Sequence, residues 1–331
     1  FGEGIARHFL RPYNFKVWAY PPETMAWSWI GERVAVTDLE RVTENILFER
    51  DDVSWGPNST FRFPKFGGTG AIWRELARRL PAEKMTFGRE IVAVDVATRT
   101  LRFADGGSEP YDVLLSSMPL DLLARATGRG GWIDAAEGLV HSSSHIVGVG
   151  LAGRPAERLR TKCWMYFPEA DCPFYRVTVF SNYSPHNVPD ITRHWSLMAE
   201  VSESPAKPVD HARVVEDVVE GLLAPRLIER RLLRSEHGYP TPSLGRERAL
   251  DALLHPMMKE GIYSRGRFGA WRYEVSNQDH SLMQGVECVD HLLFGTEEMT
   301  LWHPAAANAR KPWLADVGLP IVAGVPTPAM G

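Results

Sequence analysis

The sequence predicts a mixed α/β fold, of the α+β kind, in which a mainly antiparallel sheet is combined with helical regions. Between residues 145 and 203 the chain passes through four segments of alternating apolar and polar residues, which is the period-two pattern of half-buried strands. Elsewhere apolar residues recur at helical spacing, as at Ile72, Leu76 and Leu80, which is typical of amphipathic helices. At 331 residues the chain has room for about two domains.

The N-terminal part is predicted to be helical. Residues 1–30 are aromatic and compatible with helices around a break at Arg11-Pro12, because proline interrupts a helix interior. Residues 61–64 are predicted to be a short extended piece. The glycines at 67, 68 and 70 then form a turn that leads into the helix bearing Ile72.

A hairpin and a strand–helix unit follow. Residues 90–96 and 100–103 are rich in β-branched side chains, which indicates two paired strands. Residues 112–115 form an apolar run typical of a buried strand, and Pro119 suits the first turn of the helix after it. The strands of the antiparallel sheet are then predicted at 146–151, 163–167, 174–180 and 195–201.

Two helices are predicted after the sheet. Asp210 is placed to cap a helix whose valines and leucine fall on one face. A strand at 229–236 and a turn at 238–242 then lead to a second helix at 244–254.

The last predicted unit runs from Ile262 through Gly269 into a long helix that ends at Gly295, since glycine favours the left-handed conformation of a helix end. The residues of this helix that are expected to face inward are Leu282, Val286, Val289 and Leu293. After Thr300 the sequence is rich in proline and alanine, and a frayed tail is predicted.

Composition and charge exclude several classes of protein. Lys and Arg number 37 against 41 Asp and Glu, a net charge of −4, whereas binding to a phosphate backbone usually requires a basic surface. No nucleic-acid partner is therefore expected. No membrane partner is expected either, because no stretch reaches the roughly 20 apolar residues that span a bilayer. The three cysteines contain no CxxC pair, which indicates a reducing compartment such as the cytoplasm.

Two patterns that look like ligand sites lack the necessary context. Gly148–Gly153 fits the GxGxxG pattern, but Arg154-Pro155 follows it, whereas a dinucleotide site needs a helix N-terminus there. His141 and His145 are four residues apart, a spacing that does not bring two rings together in a strand. No metal site is predicted.

The segment 264–281 admits two interpretations. It contains close-approach glycines, three arginines, three aromatic residues and a polar cluster directly before a helix. It could be a glycine turn with Asn277 or Asp279 as a helix N-cap. It could equally hold an electron-rich ligand, which a helix N-terminus stabilises. The residues alone do not decide between the two.

Eight separated segments, in one order from about Gly2 to Pro304, resemble the eukaryotic-type UDP-galactopyranose mutases of the amine-oxidase-like flavoprotein superfamily. Such an ordered set is far more specific than any single motif. The segments are Arg11–Trp18, Trp55–Pro64, Gly67–Trp73, Lys162–Glu169, Phe174–Arg176, Ser181–Pro185, His237–Pro242 and Gly266–Asp290.

The resemblance implies a cytoplasmic flavoprotein isomerase that interconverts UDP-galactopyranose and UDP-galactofuranose, for galactofuranose biosynthesis and cell-wall glycans. In this family reduced FAD performs the chemistry. Its N5 attacks the anomeric carbon and UDP leaves. The sugar ring then opens and recloses through another hydroxyl in the flavin–sugar adduct, and UDP returns. NADPH is the implied reductant.

Matching the family motifs residue by residue gives the substrate site. Arg33 and Arg176 match two arginines that bind the diphosphate, a role suited to guanidinium forks. Asn14 and Trp18 match the uridine end, and Asn58 matches an asparagine that helps to set the closed site. The residues matched to phosphates and sugar are Trp164, Tyr166, Tyr183, Tyr239 and Tyr273. Four further tryptophans are predicted to be core residues, namely Trp27, Trp29, Trp73 and Trp132.

The same matching gives the flavin site. A helix N-terminus near the flavin would favour its anionic reduced form. The Gly67-Gly68 turn would let backbone approach the ring, and Ser117-Met118-Pro119 would close the site from another strand. The side chains matched to the FAD-binding stretch are Arg267, Asn277, Gln278 and Ser281.

The chain also departs from the family pattern. The family opens with a Rossmann βαβ unit that holds the FAD pyrophosphate, and no counterpart precedes Phe1. Residues 1–331 therefore resemble a C-terminal fragment that is expected to bind FAD poorly and to be inactive alone. Ser54 stands where the pattern has asparagine, and the short loop after Tyr183 leaves open whether a homo-oligomer forms.

The predicted organisation is the remainder of a Rossmann-like FAD-binding domain, at 61–130 and 261–300, with two other regions and a tail. Residues 1–60 form a helical substrate-cleft region, residues 131–260 an antiparallel-sheet substrate domain, and residues 301–331 the tail. Two alternatives stay open: an FAD-dependent amine-oxidase-like oxidoreductase, because one fold can host several functions, and an inactive truncated fragment.

Overall fold

The structure, a computed structural model, describes residues 2–30, 38–50, 61–222 and 227–308. Its strands are β1 (Ile91–Asp95), β2 (Thr100–Phe103), β3 (Ser108–Pro110), β4 (Leu114–Ser116), β5 (His141–Ala152), β6 (Trp164–Tyr166), β7 (Arg176–Val179), β8 (His194–Glu203), β9 (Leu227–Pro240) and β10 (Ile262–Ser264). Its α-helices are α1 (Gly2–Ile5), α2 (Arg11–Trp18), α3 (Leu39–Leu47), α4 (Gly70–Arg78), α5 (Leu120–Ala126), α6 (Gly130–Ala136), α7 (Val214–Gly221), α8 (Arg246–Lys259), α9 (Gln278–Phe294), α10 (Met299–Trp302) and α11 (Pro304–Asn308). The predicted mixed α/β fold is confirmed.

Five strands form the larger sheet, in the order β6-β7-β8-β5-β9, with every neighbouring pair antiparallel. The four strands predicted between 146 and 201 are all present. Val147, Val177 and Val201 belong to one face of the sheet and pack with Val214 and Val218 of α7 in one buried core. Because side chains alternate between the faces of a strand, the residues next to these valines in the sequence lie on the opposite face of the sheet. That face carries the candidate site.

A second core surrounds two short parallel strands. β4 and β10 pair in parallel, with Ile262 opposite Leu114, and α5, α6 and α8 contribute Leu120, Trp132 and Leu250 to the same core. The predicted hairpin of β1 and β2 is also confirmed. It extends into a third strand, β3, which the sequence did not indicate because Ser108-Glu109-Pro110 contains no β-branched residue.

The N-terminal helix is irregular where the proline was expected to break it. Residues 6–10 form a π-helical segment, and α2 follows at Arg11 with Pro12 in its first turn. A proline near a helix start needs no N–H donor, so the backbone stays helical up to Trp18. Ala19 then ends the helix in the left-handed conformation, at φ 59°.

The long helix α9 ends at Gly295 as predicted, but the prediction of its inward face is wrong. Leu282, Val286, Val289 and Leu293 are 44–68% exposed, and Gln284 and Cys288 are buried instead. Apolar spacing shows that a helix has an apolar stripe and does not show what covers it. The predicted apolar positions of α4 are similarly exposed within the described part of the chain, namely Ile72, Leu76 and, just beyond the helix, Leu80.

Three smaller predictions also need correction. Residues 61–64 have no strand pairing in the described structure. The predicted turn at 238–242 is partly strand, because β9 pairs with β5 as far as Pro240. The start of the predicted tail is helical, since α10 contains the buried Leu301 and α11 follows it. Residues 309–331 lie outside the described residues.

Candidate active site

Three side chains of the candidate site lie in one row across the larger sheet. Tyr166 of β6 pairs with Arg176 of β7, and Arg176 pairs with Glu200 of β8. Directly opposite residues in a sheet point to the same face and have neighbouring Cβ atoms. The strand register therefore fixes an aromatic residue, a cation and an anion side by side.

Glu200 holds the guanidinium of Arg176 with both carboxylate oxygens. Arg176 Nε donates to Oε1 and Nη2 donates to Oε2, each at 2.8 Å. The hydroxyl of Tyr175 also donates to Oε2, at 2.8 Å. Glu200 is buried, whereas the Arg176 side chain remains 28% exposed. This fork-to-fork geometry orients the arginine and leaves part of it available to a ligand.

The electrostatic surroundings keep these groups in fixed protonation states. Burial works against the charged form of Arg176, but Tyr239 and the Glu200 carboxylate raise its pKa above the usual range. Burial raises the pKa of Tyr166 and raises that of Tyr183 to about 12. The arginine is thus charged and the phenols are neutral hydrogen-bond donors near neutral pH.

Tyrosine rings surround Arg176. The rings of Tyr13 and Tyr166 meet edge to face, with centroids 5.5 Å apart. The ring centroids of Tyr239 and Tyr273 are 5.8 Å apart. Burial raises the pKa of Tyr13, and the Arg176 charge partly opposes this shift. The structure thus brings the predicted residues Tyr166 and Tyr239 close to the predicted arginine, places Tyr273 beside Tyr239 and adds Tyr13.

A second aromatic group adjoins the first. Trp164 stacks on Phe61 with centroids 5.2 Å apart, and Phe61 meets Tyr183 at 4.9 Å. Arg176 acts on the titration of Tyr183, so this group lies beside the same arginine. Phe61 was not predicted as a site residue, but its ring joins the two predicted residues.

The uridine-end candidates occupy different environments. The Asn14 side chain donates to the Leu10 carbonyl at 2.7 Å, within the N-terminal helix. Trp18 is 1% exposed, and its ring contacts those of Trp29, Tyr239 and Tyr273. Its indole nitrogen has no hydrogen-bond partner among the described residues. Trp18 therefore lies beneath the two tyrosines, as a core ring that supports them.

The four tryptophans predicted to be core residues divide into two pairs. Trp29 and Trp132 are buried, which confirms them as core residues. Trp27 is 82% exposed and Trp73 is 38% exposed, so the prediction of a core position is wrong for both. The ring of Trp73 is used at the surface, because its indole nitrogen donates to Gln278 Oε1 at 3.2 Å.

Arg267 connects the predicted flavin segment to the predicted substrate tyrosines. Its guanidinium lies 4.9 Å from the centre of the Tyr239 ring and 6.0 Å from that of Tyr273. It donates to Ser276 Oγ at 3.0 Å and to the Gly238 carbonyl at 3.3 Å. A flat cation stacked on aromatic rings is well suited to face a planar, electron-rich ligand.

The predicted glycine turn and the start of α9 meet at the Trp73–Gln278 hydrogen bond. Gly67 and Gly68 both have left-handed backbone, at φ 74° and 63°, which explains the choice of glycine. A Cβ on Gly68 would meet nothing closer than 4.0 Å. Gly68 therefore leaves its backbone open in the turn before α4, and it is Trp73 of α4 that contacts the first turn of α9, where Asn277 is the N-cap.

These residues fit the flavin that the family resemblance implies. They combine an open glycine backbone, the first turn of a 17-residue helix, the exposed polar side chain of Gln278 and the stacked cation Arg267. Ser281 lies in the same first turn, where its N–H donates to the Asn277 carbonyl. Gly266 has left-handed backbone, at φ 91°, and a Cβ added to it would lie 3.9 Å from the Ser117 side chain. The predicted segment Ser117-Met118-Pro119 therefore adjoins the segment that carries Arg267.

Two of the predicted site residues, Arg33 and Asn58, lie outside the described residues, as does Ser54. Their roles stay predictions.

Sequence reasoning missed Glu200 and Tyr175, which hold Arg176 in place. An isolated glutamate in a strand of alternating residues has no motif of its own. The only available signal was that Glu200 lies on the same inward polar face of β8 as Ser202. An acidic residue in such a position should have a cationic partner.

The histidines form two separate groups. His141 lies with Asp121 and His237, and His145 lies with Glu203 and His211. His141 and His145 do not meet, as their spacing in a strand predicted. The pattern Gly148–Gly153 falls inside and just after β5, with no helix directly after it, so the prediction that it is not a dinucleotide site is supported by its context.

Together the fold and the site define a class of protein: a mixed α/β protein in which an antiparallel sheet presents a partly exposed arginine suited to an anionic ligand, and a helix N-terminus is suited to a second, planar ligand. The chain is similar to a crystal structure of reduced UDP-galactopyranose mutase, with 50% identity and a TM-score of 0.89 over 93% of this chain and 68% of that one. The chain belongs to the UDP-galactopyranose mutase family.

Two other solved structures are more distant. A proposed protoporphyrinogen oxidase from Exiguobacterium sp. 255-15 has 17% identity and a TM-score of 0.49, over 59% of this chain and 45% of that one. A CLA-producing fatty acid isomerase from P. acnes has 13% identity and a TM-score of 0.47, over 69% and 52%. Nothing about function follows from either. No protein-family model matches the sequence. None of the helices in the described ranges is long and apolar enough to cross a membrane.

Proposed function

We propose that this protein interconverts UDP-galactopyranose and UDP-galactofuranose with a reduced flavin as cofactor. The observation that carries the proposal is Arg176, held by Glu200 among tyrosines on the sheet, in a chain that is 50% identical to a UDP-galactopyranose mutase over 93% of its length. An arginine so placed suits the diphosphate that leaves and returns in this reaction.

Arg176 would bind the diphosphate with the N–H groups that Glu200 does not use. Nε and Nη2 are bonded to the carboxylate, and the remaining guanidinium donors are partly exposed. Because Glu200 fixes the plane of the guanidinium, the arginine can meet phosphate oxygens without reorganising, which is the advantage of a preorganised site. Arg33 is the second candidate for this role.

The tyrosines would bind the phosphates and the sugar hydroxyls. Burial raises the pKa of Tyr166 and Tyr183, so both phenols donate hydrogen bonds at neutral pH. Trp164 and Tyr183, bridged by Phe61, would supply the apolar faces that exclude water from the reacting sugar. Asn14 and Asn58 remain the candidates for the uridine end and the closed site.

The residues that would hold the flavin are Arg267, Asn277, Gln278 and Ser281, with the backbone of Gly67 and Gly68. When bound, a reduced flavin supplies the nucleophilic nitrogen, N5, that the isomerisation requires. The N-terminus of α9 and Arg267 would stabilise negative charge on its ring. Arg267 also stacks on Tyr239, so one side chain would contact both the flavin and the residues that bind the sugar.

The finer assignments rest on the family resemblance. We infer a eukaryotic-type enzyme that uses NADPH to reduce its FAD, acts in the cytoplasm and takes part in galactofuranose biosynthesis. A homo-oligomer is compatible with the family. None of these affects the roles proposed for the described residues.

A count of redox equivalents separates this function from an amine-oxidase-like oxidoreductase. The protein is expressed from its complete reading frame, and UDP-galactose is given anaerobically to one portion with oxidised flavin and to another with reduced flavin. A mutase isomerises the substrate in the reduced portion and leaves the flavin reduced over many turnovers, whereas an oxidoreductase oxidises substrate only in the oxidised portion, as its flavin becomes reduced. Net substrate oxidation that survives Arg33→Ala and Arg176→Ala would overturn the proposal.

A further inference from the structure

A cavity, here called the rear pocket, lies against α2. Its volume is about 380 Å³, and it is bounded by α2, the loop before β7 and the segment that leads into α7. Lys16 of α2 lines the rear pocket, whereas Tyr13 of the same helix meets Tyr166 in the candidate active site. The helix therefore separates the two sites. The apolar lining includes Pro12, Phe15, Pro168, Pro173, Val201 and Val209.

One of the two lysines of the rear pocket is fully used by the protein. Lys16 is 7% exposed, and its ammonium donates to the carbonyls of Glu169 at 2.6 Å and Cys172 at 3.0 Å and to the Cys172 sulfur at 3.4 Å. Three donors thus have three acceptors. Lys16 holds the loop in place and adds positive charge to the pocket without offering a free donor.

Lys207, the other lysine, has donors to spare. Its ammonium makes one hydrogen bond, to the Ser202 carbonyl at 2.6 Å, so two of its three N–H groups lack a protein acceptor in the described part of the chain. Burial and the nearby Lys16 charge lower the pKa of Lys207 to about 8. A partly buried cation without a counter-charge is unfavourable unless something pairs with it.

The acidic groups around the rear pocket are engaged elsewhere. Asp217 lines the pocket but pairs with Arg213 at 3.0 Å. Asp210 also lines the pocket, but its carboxylate accepts the N–H of Ala212 at 2.9 Å and its charge acts on Arg213. Glu203, whose charge acts on Lys207 from β8, is bonded to two histidines and an arginine. Among the described residues no carboxylate lies within 4.0 Å of either lysine ammonium, as their absence from the ion pairs shows.

We propose that the rear pocket binds a small organic carboxylate, whose charged end accepts hydrogen bonds from Lys207 and whose apolar body contacts the prolines and valines. The pocket lies within the usual size range of small-molecule sites and has their usual character, apolar walls with few polar groups. This site is separate from the proposed mutase site, so its test does not depend on mutase activity.

Benzoate is a suitable probe, because it combines one carboxylate with an apolar ring. Binding to the protein expressed from its complete reading frame is measured at pH 7 by saturation-transfer NMR. We expect Lys207→Met to weaken binding by about tenfold or more, the usual effect of removing a charged hydrogen bond. Lys84→Met, at an exposed lysine, is the matched control and should leave benzoate binding unchanged. Neutral benzamide should bind the unaltered protein at least about tenfold more weakly than benzoate.

A measurement on the unaltered protein guards against misfolding of the variant. With lysine labelled with ¹³C at Cε, the Lys207 resonance reports its titration directly. Benzoate should raise the Lys207 pKa, because an anion stabilises the charged ammonium. Equal binding of benzoate and benzamide, equal binding by the Lys207 and Lys84 variants, or a Lys207 titration that benzoate does not shift would each overturn the proposal.

Discussion

Arg176 and Glu200 face each other across β7 and β8 and share two parallel hydrogen bonds of 2.8 Å. The carboxylate is buried and the guanidinium is partly exposed. A cation held from behind in this way keeps one orientation while part of it stays accessible. In the proposed function, the pair would therefore link the strand register, which is a property of the fold, to the binding of an anionic substrate.

Glu200→Gln should reduce turnover more than substrate affinity. The substitution removes the charge that fixes the guanidinium, while the diphosphate itself can replace the lost counter-charge in the bound state. We expect kcat to fall by about tenfold, as expected when an oriented group is loosened, and KM for UDP-galactofuranose to change by less than about threefold. Steady-state kinetics of the dithionite-reduced protein measure both.

Glu203→Gln is the matched control for this prediction. Glu203 lies on the same strand but is bonded to His145 and Arg234, away from Arg176. Its replacement should leave kcat and KM within about twofold of the unaltered protein. Equal kinetics in the Glu200 variant and this control would contradict the proposed positioning role.

Arg176→Ala should reduce stability as well as activity. It leaves the Glu200 carboxylate buried without its cation, which costs about 3 kcal/mol for buried pairs. Adding Glu200→Gln to this variant removes the stranded charge and should restore much of the free energy of unfolding without restoring activity. Urea unfolding and product formation are compared across the four proteins. A double variant that regains activity would show that Arg176 does not bind substrate.

Trp18→Ala should destabilise the protein by about 3–5 kcal/mol, the range for truncating a buried aromatic ring. The ring is enclosed by Trp29, Tyr239 and Tyr273. Trp27→Ala is the control, since Trp27 is 82% exposed and surface substitutions usually change stability by less than about 0.5 kcal/mol. Similar losses in the two variants, measured by urea unfolding, would contradict the core position of Trp18.

Arg267→Met should lower FAD affinity by about tenfold or more, because the lost guanidinium is a charged hydrogen-bond donor. The retained flavin is measured as the ratio of flavin to protein absorbance after gel filtration. Arg248→Met, at an exposed arginine of α8, is the control and should retain flavin normally. An Arg267 variant with a full complement of FAD would remove Arg267 from the flavin site.

The stability of the protein should decrease on acidification through Glu203 and His145. Burial raises the pKa of Glu203, but hydrogen bonds from His211, His145 and Arg234 outweigh it and lower the pKa to about 2 from 4.5. Its contribution is therefore complete above pH 4.5 and is lost as the pH falls toward 2. Burial lowers the pKa of His145 below 6.5, so protonation of the unfolded state reduces stability further below pH 6.5.

Urea unfolding of the unaltered protein and of Glu203→Gln tests this sign. The difference in the free energy of unfolding between the two should be largest near pH 7 and should shrink below pH 4.5. A difference that stays constant from pH 7 to the lowest pH at which both proteins fold would contradict the assignment.

The sequence predicted the strands and much of the site because those features repeat or match ordered motifs. Alternating residues located β5 to β8, and the resemblance located Arg176 and the tyrosines around it. Glu200 could not be predicted, since only the register of β7 and β8 places it opposite Arg176. The buried face of α9 was predicted wrongly because the spacing of apolar residues does not show which face another element covers.

Trp18 illustrates the same limit within the site. Its match to the family indicated a residue of the uridine end, and only the packing shows an almost wholly buried ring beneath Tyr239 and Tyr273. A ring can therefore matter to substrate binding by supporting the residues that make the contact.

The most direct test of the account is analysis of the sugar product. The protein expressed from its complete reading frame is loaded with FAD, reduced with dithionite and incubated with UDP-galactofuranose, and the nucleotide sugars are separated by chromatography. We expect UDP-galactopyranose to form, in an amount that grows with turnovers rather than with the dithionite consumed, and conversion to cease when the flavin is oxidised. A flavin-loaded, fully reduced protein that forms no UDP-galactopyranose would contradict the account.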